Sequence, residues 1–201
     1  MTAADPADPD YQVLQEQRRA ELRAELRPLL AGRTRLTLEI GCGHGHFLEA
    51  YAAAHPASFC LGIDIMSDRV NRGTRKRDRA RLGNLAFVHA SAGDLLAVMP
   101  ADVKLDAVFV LFPDPWPKRR HWKNRLIQME FLDELASHAV AGAPLYFRTD
   151  YAPYFDEAKA GVAAHPRWQL APDAKAWPFE FTTVFQARAP SYQSLIARRR
   201  E

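Results

Sequence analysis

The chain has 201 residues, 48% hydrophobic and 25% charged, with 27 Lys and Arg against 24 Asp and Glu. That length and balance suit one globular domain with a sizeable core and exclude a disordered or collagen-like polymer. No apolar run approaches the roughly 18 residues of a membrane helix, and Cys42 and Cys60 alone cannot build a disulfide framework or a complete four-ligand zinc site.

In chain order, Met1–Asp10 is small, acidic and interrupted by proline, which reads as a tail. From Tyr11 to Leu30 the residues Leu14, Leu22, Leu26, Leu29 and Leu30 approximate one stripe among Arg and Glu, predicting an amphipathic helix. Met1–Leu30 lacks the basic start and apolar centre of a secretion signal, so a cytoplasmic location is expected. After Gly32 the pattern changes, giving a tail and helix over 1–33 and a single domain over 34–201.

Strand-like runs follow at Leu36–Ile40, Phe59–Ile65, Leu85–His89, Leu105–Phe112 and Pro144–Thr149. Helices are expected between and after them at 45–54, 67–80, 94–99, 124–140 and 152–163. The alternation predicts an α/β fold, Rossmann-like and doubly wound around a mostly parallel sheet. Trp168–Leu170 and Phe179–Arg188 are two more strand-like pieces without a strong helix between them, which predicts an antiparallel C-terminal edge. Trp168 and Trp177 are expected to anchor these last strands, and the scattered His55, His89, His138 and His165 to pack or face solvent.

Open sheets of this kind bind ligands at the carboxyl ends of their strands. The first strand runs through Glu39 into Gly41-Cys42-Gly43-His44-Gly45 and a helix. A dinucleotide fingerprint would want glycine at position 46, where His46 stands, so a nicotinamide-dependent dehydrogenase is disfavoured. The second strand ends on Asp64, about 20 residues past the glycine turn, where a carboxylate can hold a ribose diol. Together they point to an adenosine-containing ligand. Cys42 and Cys60 read as small buried hydrophobes.

The fourth strand ends in Phe112-Pro113-Asp114-Pro115-Trp116-Pro117-Lys118-Arg119-Arg120-His121-Trp122-Lys123-Asn124-Arg125. The prolines stiffen the backbone around Asp114. Between Pro117 and Met129 lie five Lys/Arg and no acid, interleaved with aromatic rings, a composition suited to phosphates and exposed bases of structured RNA. Arg69–Arg81 carries seven basic residues and one acid, so the near-neutral total hides two basic segments after strands two and four.

FPDPWPKRRHWKNR resembles the signature of bacterial tRNA (guanine-N7-)-methyltransferases, and LEIGCGHGHFLEAYA, FCLGIDI and LYFRTDYAPYF occur in that family's order. The resemblance covers roughly residues 36 to 157 and implies the class I methyltransferase fold, S-adenosyl-L-methionine as cofactor and tRNA as substrate. It implies that Glu39, Gly41, Gly43, Gly45 and Asp64 hold the cofactor and that Asp114 sits against it at the reacting centre. Adenine would be received by Ser91 or Asp94, a choice the sequence leaves open. Lys118, Arg119 and Asp150 would contact the substrate, together with Thr183, Phe185 and Gln186, the counterpart of a family Thr-x-Phe-Glu motif. Gln186 for Glu departs from the pattern, and Ala187–Glu201 fits it poorly. A methyltransferase of the same fold acting on a small molecule or protein, and a non-catalytic RNA-binding relative, are the alternatives.

Overall fold

The computed structural model describes residues 9–171, 177–182, 186–187, 189 and 191–201. The elements are α1 (Pro9–Leu30), β1 (Arg35–Ile40), α2 (His46–Ala54), β2 (Cys60–Asp64), α3 (Ser67–Ala80), β3 (Leu85–His89), α4 (Ala92–Val98), β4 (Lys104–Leu111), α5 (Met129–His138), β5 (Pro144–Thr149), α6 (Ala152–Ala164), β6 (Trp168–Leu170) and β7 (Gln193–Arg199). The strands form one sheet in the order β3-β2-β1-β4-β5-β7-β6. The first five are parallel; β7 runs antiparallel to β5, and β6 antiparallel to β7. The expected doubly wound sheet is therefore present, and its order reverses between β1 and β4. The carboxyl ends of those two strands open a crevice there.

Both faces of the parallel part are buried, so its strands read as nearly continuous apolar runs. Leu36, Leu38, Ile40, Val108 and Val110 face a core shared with Leu22, Leu26 and Leu30 of α1 and with α4, α5 and α6. Ala107, Phe109 and Tyr146 face a second cluster with Phe47, Leu48 and Tyr51 of α2. Trp168 is fully buried and donates its indole N–H to the Leu132 carbonyl at 2.8 Å, the anchoring role expected of it. Trp177 is half-buried against Tyr146, with ring centroids 5.4 Å apart.

Two expectations are corrected. The strand expected over Phe179–Arg188 is not formed by its described residues. Phe179 instead turns its ring among Phe47, Tyr51 and His55, at centroid distances of 5.7 to 6.0 Å. The antiparallel partner of β5 is β7, whose Leu195, Ile196 and Ala197 are buried between Gln193 and the terminal arginines. The helix expected over 124–140 starts only at Met129, and a 3-10 turn occupies Arg119–Asn124. Arg125 is drawn into the interior between the two segments, which breaks the helical path.

Three glycines are explained by one ring. A Cβ on Gly45 would meet Phe87 at 2.4 Å, one on Gly62 at 2.7 Å, and one on Gly73 at 3.1 Å. Phe87 of β3 thus fixes how closely the glycine turn, β2 and α3 approach. Gly62→Ala, which has no unusual backbone angle to complicate it, is expected to cost about 1–3 kcal/mol of stability by overpacking. Urea denaturation measures the loss, and adding Phe87→Leu should recover part of it. A neutral Gly62→Ala would show that the ring is free to move.

Candidate active site

The turn after β1 is built by backbone and by Asp64. Gly41, Gly43 and Gly45 all have positive φ, at 74°, 54° and 72°, a region open to glycine without steric cost. An added Cβ on Gly41 or Gly43 would meet nothing within 4 Å, so these two leave open approach to the backbone, whereas Gly45 is closed by Phe87. The buried Asp64 carboxylate accepts the Gly43 N–H at 2.9 Å and the Met66 N–H at 2.9 Å, with Arg69 at 3.7 Å. His46, which stands where a dinucleotide site has glycine, lies 2.7 Å from the Lys76 ammonium, and that ammonium also donates to the His44 carbonyl at 2.9 Å. Lys76 thereby ties α3 to the turn.

Glu39 is 3% exposed, and its Oε2 has no partner among the described residues. Burial first, and the neighbouring Asp64 second, push its carboxyl well above the usual carboxylate range, against a hydrogen bond from the Leu48 backbone. The same burial raises the Cys60 thiol to about 12, and both cysteines are free and buried, as their reading as small hydrophobes requires. Among the described residues no three His, Cys, Asp or Glu side chains group as metal ligands.

A cavity of about 510 Å3 opens at the crevice, lined by Gly41, Asp64, Ile65, Met66, Arg69, Ser91, Phe112, Asp114 and Trp116 among others. Ile65 and Met66 are 67% and 50% exposed on its rim, an apolar feature that sequence reasoning missed although it directly follows Asp64. Of the two adenine candidates, Ser91 lines the cavity. Asp94 is turned away from it, accepting from the Ser91 hydroxyl at 2.8 Å and from Arg19 of α1 at 2.9 Å.

Asp114 is exposed at the mouth of β4, between two non-glycine residues with positive φ, Phe112 at 51° and Trp116 at 46°. Such conformations cost on the order of 1–3 kcal/mol each and persist only when neighbours over-determine them. Here the Phe112 N–H donates to the Arg148 carbonyl at 2.7 Å. Arg125, 2% exposed, donates to the Pro115 carbonyl at 3.0 Å, pairs with Glu157 of α6, and lies 4.6 Å over the Trp122 ring. The five-residue basic run therefore divides: Lys118, Arg119, Arg120 and Lys123 are exposed, and Arg125 clamps the loop from inside. The adjoining Leu126-Ile127 was the one sequence signal for its burial.

At β5, Asp150 is exposed just beyond the strand end. Arg148 is buried; it donates to Ser194 at 2.9 Å and pairs with Glu180 at 3.1 Å, with Trp177 and Tyr192 against its plane. Gln186 joins this group, its amide oxygen accepting from Arg148 at 3.3 Å and from the Tyr192 hydroxyl at 2.9 Å. Thr183 and Phe185 lie outside the described residues.

A family model described as a putative methyltransferase matches residues 33–193. A tRNA (guanine-N(7)-)-methyltransferase of Magnetococcus marinus is 39% identical over 81% of this chain and 66% of its own length. The enzyme of that name from Treponema pallidum is 38% identical over 77% of this chain and 61% of its own length. The one from Rhodospirillum rubrum is 36% identical over 82% and 68%. The chain thus spans about two thirds or less of the first two relatives. Among solved structures, the aminoglycoside resistance methyltransferase NpmB1 superposes with a TM-score of 0.58 at 18% identity, covering 88% of this chain and 93% of that one. A 16S rRNA (adenine(1408)-N(1))-methyltransferase from Catenulisporales acidiphilia does so with a TM-score of 0.56 at 20% identity, covering 89% and 92%. These two share the fold. No helix among the described residues is long and apolar enough to cross a membrane.

The Glu39 carboxyl gives a pH signature. Its folded pKa is raised above the unfolded value, so the native state binds more protons between the two, and stability falls as pH rises through that window. Glu39→Gln removes the ionisation. Between about pH 5 and about pH 8, urea denaturation of the ligand-free protein should show the wild type losing stability that Glu39→Gln retains. Parallel profiles would mean that Glu39 ionises freely where it stands.

Proposed function

The chain belongs to the bacterial tRNA (guanine-N7-)-methyltransferase family, and on that premise we propose that it methylates N7 of a variable-loop guanine in tRNA, as a cytoplasmic enzyme using S-adenosyl-L-methionine. The observation that carries this reading is the convergence, at the β1–β4 crevice, of an open glycine turn, a carboxylate suited to a ribose, and the loop-borne Asp114 beside exposed basic residues.

The residues fit that cofactor. The orphaned, buried Glu39 oxygen is complementary to an ammonium, and Asp64 has lone pairs left for a ribose diol beyond its two backbone donors. Ser91 offers a hydroxyl to the adenine edge, and Ile65 and Met66 offer apolar cover to its ring. When bound, S-adenosyl-L-methionine supplies an electrophilic methyl group on a sulfonium sulfur.

Guanine N7 carries an in-plane lone pair and no proton, so the chain need not provide a general base. Its task is to align the guanine and exclude other geometries. Asp114 does this from the stiffened loop, accepting from the guanine imino or amino group and favouring the positive charge that develops on the purine. Asp150, just beyond the end of β5, and Gln186, held against Arg148 and Tyr192, would contact the guanine from this side. Lys118, Arg119, Arg120 and Lys123 take phosphates, with Trp122 presenting a ring for stacking. On the other flank, helical geometry puts Arg69, Arg72, Arg75 and Arg79 on one exposed side of α3, a second phosphate track about 15 Å long.

Incubation of an unmodified tRNA transcript with methyl-labelled cofactor should place the label on a guanine N7 of the variable loop. Label found only in protein or a small molecule would favour a different methyltransferase, and cofactor and RNA binding without transfer a non-catalytic relative. Asp114→Ala should lower turnover by about a hundredfold while changing cofactor affinity little; equal losses would remove its orienting role. For the Lys118→Ala, Arg119→Ala double variant, tRNA binding should weaken and the slope of log affinity against log salt should shrink by about 1–2. An unchanged slope would take the loop out of the RNA site.

A further inference from the structure

Among the described residues, apolar burial fixes helix α1 to the sheet at one end. Its buried residues, Leu22, Leu26 and Leu30, all lie in its second half, while Val13 and Leu14 are exposed. Arg19 lies about 16 Å up the helix from Leu30, and its guanidinium donates to Asp94 Oδ1 at 2.9 Å. The other oxygen, Oδ2, accepts from the Ser91 hydroxyl at 2.8 Å, and that hydroxyl accepts from the Asp94 backbone N–H at 3.1 Å. Ser91 lines the crevice cavity and Asp94 does not. A chain of two side-chain hydrogen bonds thus runs from the N-terminal helix to the wall of the cavity.

We propose that Arg19 is a positioning residue for the cofactor site: through Asp94 it holds the Ser91 hydroxyl against the adenine end of the cavity, so that cofactor binding and docking of the first half of α1 stabilise each other. The proposal rests on the cavity being the cofactor site. Ser91 has one hydroxyl hydrogen, and it is committed to Asp94. Its oxygen therefore presents only acceptor capacity toward the cavity, the polarity an exocyclic amino group requires. Without Arg19 the Asp94 carboxylate loses its cationic partner and sits closer in charge to Glu134 of α5, the other acid that faces both groups. The carboxylate is then free to leave Ser91, and the hydroxyl to rotate. Arg19 is part-exposed, as is Asp94, so the bond makes a modest contribution to global stability. Its leverage is on orientation. By linkage, any tightening of the cofactor that depends on Arg19 must return as an equal tightening of α1 when the cofactor is present.

Calorimetric titration of the full chain with S-adenosyl-L-methionine tests this, alongside amide hydrogen exchange. Arg19→Met should bind the cofactor about 5- to 20-fold more weakly, within the usual range of coupling between sites. Arg19→Lys, which keeps a charge and a donor, should restore part of the affinity. Asp94→Asn combined with Arg19→Met should be no worse than either alone, because both break the same chain. In the wild type, added cofactor should slow exchange in residues 9–19 of α1, and in Arg19→Met it should not, although Leu22–Leu30 stay protected in both. That last region also reports whether the variant is folded. Equal cofactor affinity in wild type and folded Arg19→Met overturns the positioning role and leaves the cofactor reading intact. Failure of the wild type to bind S-adenosyl-L-methionine overturns the cofactor reading and the positioning role with it.

Discussion

The site depends on two carboxylates buried side by side and treated differently. Asp64 accepts the N–H groups of Gly43 and Met66 at the end of β2 and so holds the glycine turn in its left-handed path. Glu39, one strand away, has a buried oxygen with no partner among the described residues, and burial and the neighbouring Asp64 raise its pKa. A protein that only had to fold would fill such a position with an apolar residue. The asymmetry makes sense for a ligand with an uncharged diol at one point and a cation at another. Everything around it serves to keep the two carboxylates where they are: Phe87 sets the spacing of the turn, β2 and α3, and Lys76 fastens α3 to the turn's carbonyl.

A second tension sits at the mouth of β4. Two non-glycine residues with positive φ bracket the Pro-Asp-Pro segment, and backbone in that state unwinds unless held. The holding is done from opposite sides, by the Arg148 carbonyl and by the guanidinium of Arg125. Arg125 in turn stands on Glu157 of α6, so the loop is braced by a helix on the far side of β5 from the crevice. Rigidity of this kind costs folding energy and contributes orientation, which is what the proposed methylation, with no proton to transfer, would demand.

Much of this was legible in the sequence because the chemistry required particular residues at strand ends. The parallel strands announced themselves as apolar runs, and Gly41, Asp64 and Asp114 each follow one. What was hidden depended on contacts between distant segments. Arg125 looked like its basic neighbours, and packing against Tyr154 and pairing with Glu157 set it apart. β7 has only three consecutive buried apolar residues followed by arginines, a weak strand signal that pairing with β5 and β6 turns into a place inside the sheet. Phe179 and Phe181 alternated as a strand would, yet their rings cover the α2 cluster instead. Ser91 lines the cavity while Asp94 pairs with Arg19, 75 residues away in sequence, a contact invisible to any local pattern.

The loss of a family acid at Gln186 is also a matter of distant partners. Arg148 is buried beneath the last strands, and a buried guanidinium left without an anion would be costly. The carboxylate comes from Glu180, six positions earlier in the chain, while the Gln186 amide adds a neutral hydrogen bond to the same guanidinium and ties in Tyr192. Among the described residues the cluster therefore keeps one negative partner for one positive charge, and the change from acid to amide avoids a second carboxylate on a single arginine. In this chain the position beside Arg148 contributes hydrogen bonds without charge, and the negative charge at the crevice mouth falls to Asp114 and Asp150. Asp114 stands on the loop after β4 and Asp150 just beyond the end of β5, the adjacent parallel strand.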